Sequence, residues 1–130
     1  MPIHDYYMLQ FAILLTFKHF VCDFVLQTDR MVDTKYIYGH PLSLQHSIYH
    51  ALGTLVVSIL FVSPKMAFIL ALVDGAIHYH LDWFKSKFGP DTGHKHYWAW
   101  HGADQLLHQL TYILLLILVM SSKEIVDFKL

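Results

Sequence analysis

The chain has 130 residues, enough for one compact domain. Hydrophobic residues make up 55% of it and charged residues only 15%, where an average soluble domain carries about 25% charged; the mean hydropathy is +0.41. A net charge of -1 gives no basic field for nucleic acid, and the single cysteine, Cys22, excludes an intrachain disulfide framework.

Four apolar segments follow one another. The first covers residues 6–27, with Lys18, His19 and Asp23 confined to its second half. No Lys or Arg precedes Lys18 and no small-residue cleavage site follows the run, so a retained helix is expected rather than a cleaved signal peptide. Thr28 to His40 reads as a polar loop. The second segment covers residues 44–63, with Ser43 as a candidate N-cap and Pro41 just before it. Ser63-Pro64-Lys65 is a tight link, which makes the second and third segments antiparallel neighbours. The third covers residues 66–85. Ser86 to Gly102 reads as a loop, broken by Gly89-Pro90, with Trp98 and Trp100 as interfacial anchors. The fourth covers residues 104–121 and contains the unbroken apolar run Tyr112 to Met120. A helix needs about 20 residues to cross a typical hydrocarbon core. The expected fold is therefore all-α: one transmembrane domain over residues 1–130, an integral membrane four-helix bundle running up-down-up-down.

The loops after the first and third segments carry Arg30, Lys35, Lys85, Lys87 and Lys95; the other side carries Lys65, Lys123 and Lys129. The positive-inside rule then puts those two loops in the cytoplasm and both termini outside.

Eleven histidines are the compositional oddity. His19/Asp23, His46/His50, His78/Asp82 and Asp104/His108 are all spaced i,i+4, so each pair shares one helical face. The first and third pairs lie near the C-terminal ends of their segments, and the second and fourth near the N-terminal ends. In an alternating bundle those ends share one side. Charged groups are costly in lipid, about 2.5–3.5 kcal/mol at a helix centre, and should converge on partners inside. A divalent metal, zinc above all, takes His nitrogen and Asp oxygen. All eight residues are candidate ligands for one or two ions, with Asp23 or Asp104 as a general base and Lys85 as a charge partner for a substrate. Gln27 lies one turn beyond Asp23, whereas Gln105 points about 100° away from Asp104. His80 faces away from His78, and His94, His96 and His101 read as solvated loop residues. Without a metal, Asp104 could be an N-cap, and the Asp–His pairs could be simple hydrogen-bonded locks.

The stretch His19-Phe20-Val21-Cys22-Asp23-Phe24-Val25-Leu26-Gln27, with His46…His50, His78…Asp82-Trp83…Lys85 and Asp104-Gln105…His108, resembles the DUF3307 family of small polytopic membrane proteins of bacteria and phages. That resemblance implies a multi-pass protein of the bacterial inner membrane and supplies no activity. A weaker similarity is to membrane-bound metal-dependent hydrolases of the YdjM type, whose Gly-His-Arg-Gly-type loop is absent here. The leading functional expectation is a metal-dependent hydrolase of a phosphoester or lipid-like substrate at the membrane surface. Its partners would be membrane lipid and, if it self-associates, further copies of the chain. The rivals are a metal-ion or proton transporter and a structural membrane protein locked by its polar cluster. The apolar far halves of the second and fourth segments speak against a pore through one protomer.

Overall fold

The computed structural model describes residues 3–122. Among those residues the regular elements are all helical: α1 (Ile3–Phe20), continued by a π-helical turn (Val21–Val25), then α2 (Asp29–Thr34), α3 (Pro41–Ser58), α4 (Pro64–Phe88) and α5 (Tyr97–Ser122). The all-α expectation holds, but the described residues form five α-helices rather than four. The extra one is α2, inside the stretch that reads as a polar loop. Thr28 caps it, its hydroxyl accepting from the Met31 N–H at 3.3 Å. A helix of six residues is too short to show a period in the sequence.

Two helix starts also differ from the sequence expectation. Pro41 is the first residue of α3, where its missing N–H costs no hydrogen bond, and the N-cap is His40, whose Nδ1 accepts from Leu42 N–H at 3.2 Å. Ser43 is not the cap; it donates to the Thr34 carbonyl at 3.0 Å and ties α2 to α3. The last helix begins at Tyr97 rather than near Asp104, so Trp98, Trp100 and His101 are helical, not loop, residues. The run Tyr97 to Gly102 mixes aromatic, polar and small residues, and the apolar period starts only after it.

The four long helices contact one another in a closed ring, with α1 and α4 each touching both α3 and α5. At Gly75, α3 and α4 approach so closely that a Cβ would meet the Ala51 Cβ at 2.9 Å. Ser47 bridges the same contact by donating to the Gly75 carbonyl. Inside the ring, one half is a purely apolar core of Phe11, Leu15, Phe61, Val62, Leu70, Leu115 and Val119. The other half is polar. The outer faces are largely apolar: Phe17 is 61% exposed, Val56 65%, Phe68 56% and Ile117 53%. Two helical stretches, Asp5–Val25 and Tyr97–Ser122, are long and apolar enough to cross a membrane.

Candidate metal centre

The polar half lies where α1 and α4 end and α3 and α5 begin. The π turn shapes it first. A π turn closes its hydrogen bonds one residue wider than an α turn, here from Leu26 N–H to the Val21 carbonyl at 3.0 Å. The Asp23 carboxylate lies within that turn and is buried. His46 and His50 come from the second and third turns of α3, His78 and Asp82 from the second half of α4, and Asp104 and His108 from the third and fourth turns of α5. Asp104 is thus inside its helix and not its N-cap. All eight sequence candidates, His19 included, are buried.

The ligand atoms of six of them, all but His19 and Asp104, meet in two groups that share His78. In the first, Asp23, His46, His50 and His78 each offer one atom within 4.8 Å of the others; in the second, His78, Asp82 and His108 do the same. Asp23 Oδ1 lies 2.8 Å from His50 Nε2, 3.2 Å from His46 Nε2 and 3.8 Å from His78 Nε2. His46 Nε2 and His78 Nε2 are 3.2 Å apart, and Asp82 Oδ2 is 3.4 Å and 3.2 Å from them. His108 Nε2 stands 3.3 Å from Asp82 Oδ1 and 3.5 Å from Asp104 Oδ1. Metal–nitrogen bonds of about 2.0–2.1 Å in a tetrahedral shell put ligand atoms roughly 3.3 Å apart. The spacings found bracket that value. The rings of His50, His78 and His108 stack, with centroids 3.4 Å and 4.2 Å apart, which fixes their planes.

Protons alone do not settle this arrangement. The His46 Nε2 atom has three lone-pair-bearing neighbours within 3.4 Å, namely Asp23 Oδ1, His78 Nε2 and Asp82 Oδ2. One N–H serves one of them well; Asp23 Oδ1 also faces His50 Nε2 and Asp82 Oδ2 also faces Lys35 Nζ, but the His46 and His78 Nε2 atoms still face each other in a buried site. A cation at their centre satisfies all of them at once. The buried His/Asp groups therefore have the composition and spacing to hold a metal ion.

Lysines balance the carboxylates. Lys35, just past α2, reaches Asp82 Oδ2 at 2.7 Å. Lys85 lies 3.7 Å from Asp104 Oδ2 and 3.1 Å from His101 Nδ1, with its side chain 28% exposed at the rim. Deeper in the ring, Lys18 pairs with Asp74 at 2.6 Å, both nearly sealed from solvent, and Thr54 donates to the same Asp74 oxygen. Only Asp23 has no lysine in this set; its neighbours are imidazoles. A groove of about 360 Å³ opens between α4 and α5 beside the cluster, lined by Leu81, Phe84, Ala99, Trp100, Ala103 and Leu107, with Lys85 and Asp104 as its polar members.

Several participants were not singled out from the sequence: Lys35, Asp74, Thr54, Tyr112 and the inward reach of Lys18. Gln105 is a correction. Although its backbone position points away from Asp104, its long side chain brings Oε1 to 3.0 Å from His19 Nε2. Gln27 does not join the cluster; its amide N–H bonds the Asp23 backbone carbonyl at 3.1 Å. His80 is exposed and pairs with Tyr38, away from the cluster. Cys22 is buried, with its thiol against the Tyr49 carbonyl.

An all-helical chain with apolar outer faces and buried, metal-competent His/Asp groups is the class that fold and site define. The chain belongs to the family described as "Protein of unknown function (DUF3307)", whose sequence model matches residues 11–129. No curated protein and no solved structure is significantly similar to it.

Proposed function

We propose that this chain is a multi-pass protein of the bacterial inner membrane that binds a divalent metal, with zinc the best match to its donors, and uses it to hydrolyse a phosphoester of a lipid-like substrate. The observation that carries the metal half is the crowding of lone pairs around His46 Nε2 and His78 Nε2. The membrane half is supported by the inverted polarity of the ring. Lys18, His50, Asp74 and His78 point inward while phenylalanine, valine and isoleucine cover the outside. A monomeric soluble protein rarely exposes contiguous apolar surface on that scale. In this reading α1, α3, α4 and α5 all span as an up-down-up-down bundle, and the cluster lies toward the cytoplasmic leaflet, where Arg30, Lys35, Lys85, Lys87 and Lys95 gather.

The groove between α4 and α5 supports the substrate class. Its apolar walls suit an acyl chain, and it leads past Lys85 to Asp104 and the ligand groups. Lys85 and Lys35 would offset the charge of a phosphoester. When bound, the ion would supply a Lewis acid that makes water more acidic, to a pKa of about 7 for zinc. Hydrolysis would add a water across the P–O bond. In that reaction Asp104 would accept the proton of the attacking water, whose oxygen would bond to phosphorus, and would return the proton to the leaving oxygen.

Transport is the second reading, favoured by one observation: buried polar side chains continue past the cluster to Lys18, Thr54, Asp74 and Ser58. The apolar core beyond them opposes it, since Phe11, Leu15, Leu70 and Leu115 leave no polar path to the far end.

The test is metal analysis of detergent-purified protein beside His78→Ala and Asp104→Ala, with phosphodiesterase and phospholipase assays with and without chelator. We expect about one or two ions per chain, lost in His78→Ala, and hydrolysis that chelation abolishes and metal restores. Hydrolysis indifferent to chelation would sink the metal mechanism, and metal-dependent flux into liposomes without hydrolysis would favour the transporter.

A further inference from the structure

The clusters hold more ligand-type atoms than an ion needs, and the hydrogen bonds beneath them sort those atoms. An ammonium group has three N–H donors and no acceptor. Lys18 Nζ has three polar neighbours in reach: Asp74 Oδ2 at 2.6 Å, the Tyr112 hydroxyl at 3.2 Å and His50 Nδ1 at 3.3 Å. All three must accept. His50 Nδ1 then holds the ring's lone pair, so the proton of the neutral imidazole sits on Nε2 and is donated to Asp23 Oδ1 at 2.8 Å. The Tyr112 oxygen, having accepted from Lys18, turns its own hydrogen to His19 Nδ1 at 3.0 Å. That places the His19 proton on Nε2 as well, where Gln105 Oε1 at 3.0 Å and Asp23 Oδ2 at 3.2 Å receive it.

In both rings the nitrogen facing the cluster is therefore a donor. A neutral imidazole has one free lone pair, and in His19 and His50 it is engaged on the far side. His46 and His78 are different. Nδ1 of each has no hydrogen-bond partner among the described residues, and Nε2 of each faces carboxylate oxygens. Lys18 is held to its task by α3. Its stem crosses the helix at Gly53, where a Cβ would come within 2.6 Å of Lys18 Cγ.

We propose that the metal ligands are Asp23, His46 and His78 in the first group and His78, Asp82 and His108 in the second, and that Lys18 keeps His19 and His50 outside the coordination shell as N–H donors gripping the two oxygens of Asp23. This deepens the metal-binding reading and rests on it. A carboxylate has about four lone-pair sites, so Asp23 can take both imidazole donors and still face the ion. Partners of this kind orient a ligand, and losing one typically weakens metal affinity about 10–100-fold. Lys18 is a positioning residue, acting through Tyr112 and the two rings. Asp104, outside both ligand groups, remains available as a base.

The experiment is nitrogen NMR of histidine-labelled protein in micelles, metal-free and zinc-loaded, with cobalt(II) absorption spectra of variants. The expected result is the Nε2–H tautomer at His19 and His50 in both states. His19→Gln and His50→Gln should bind cobalt about 10–100-fold more weakly with wild-type band positions. His46→Gln and His78→Gln should shift the bands or abolish binding. Tyr112→Phe, a milder change than Lys18→Met, should mix the tautomers of His19 while leaving His50 as Nε2–H. An Nδ1–H tautomer at His50 in the zinc-loaded protein, or cobalt bands altered as much by His50→Gln as by His78→Gln, overturns this proposal and leaves the metal reading standing. Wild-type protein that takes up no ion overturns both.

Discussion

Lys18→Met tests the electrostatics of the interior most directly. The Lys18 side chain is 5% exposed and that of Asp74 2%, so solvent screening is slight. Methionine keeps most of the stem, so the change removes a charge and three N–H donors rather than volume. Asp74 retains the Thr54 hydroxyl but loses its only cation among the described residues. Removing one partner of a buried ion pair typically costs about 3–5 kcal/mol, because the survivor is left charged and uncompensated. At 1.4 kcal/mol per factor of ten, that is roughly a 150- to 4,000-fold shift of the folding equilibrium. Asp74→Asn should destabilise by a similar mechanism with the sign of the stranded charge reversed. The double variant Lys18→Met with Asp74→Asn strands no charge and should recover at least about 2 kcal/mol of the summed loss. The assay is equilibrium unfolding of detergent-solubilised protein, followed by helicity. Additive single costs, or a Lys18→Met cost below about 1 kcal/mol, would show that the pair is solvated and that Lys18 does not order the groups around it.

Gly53→Ala should act on the same network by displacement: the added Cβ meets the Lys18 stem at 2.6 Å and 2.8 Å, so the ammonium must shift. The outcome expected is weaker metal binding than wild type at nearly unchanged helicity, read by competitive chelator titration. Ala103→Trp should fill the α4/α5 groove and suppress cleavage of long-chain substrates while sparing a short soluble phosphodiester; equal loss on both would remove the groove from the substrate path. Metal affinity should fall as the pH is lowered, because protons compete for the lone pairs of His46, His78 and His108 and metal binding releases them. An affinity flat across the histidine range, measured by calorimetry in two buffers, would exclude imidazole ligation.

The cluster was legible in the sequence because it rests on one geometric rule applied to neighbouring residues. A spacing of i,i+4 puts His78 and Asp82 on one face whatever surrounds them, and alternation of direction brings the pairs to one end. What joins distant residues was not legible. Asp74 lies four residues before His78 and extends the same face, but its cation is Lys18, fifty-six residues away on α1. A lysine inside an apolar run was itself a signal that a buried carboxylate must answer it. Lys35 could not be placed because α2 is too short to announce itself, and its reach to Asp82 depends on that helix packing against α3. The start of α5 was misplaced for a related reason. Tyr97 to Gly102 has no apolar stripe, so only packing shows that it is helical.

The division of the interior into a polar and an apolar half bears on what the centre can do. Along α3 the inward residues are His46, His50, Thr54 and Ser58, a graded loss of charge and donor strength rather than a sharp border. Lys18 and Asp74 sit at the middle of that gradient and neutralise one another. Below them the ring closes on Phe11, Leu15, Leu70 and Leu115. A proton or ion arriving at Lys18 from the cluster would have to cross that apolar layer unsolvated. The same layer holds the field of the clustered charges on one side, where low dielectric strengthens every interaction of Asp23, Asp82 and Asp104 with a cation. A sealed floor under an acceptor-rich chamber with an apolar groove beside it agrees with the proposed action on a substrate from one side, and a polar substitution in the floor, such as Leu115→Ser, should leave metal stoichiometry intact while opening no conductance in liposomes. Measurable proton flux in that variant would show that this single apolar layer was all that separated the protein from a channel.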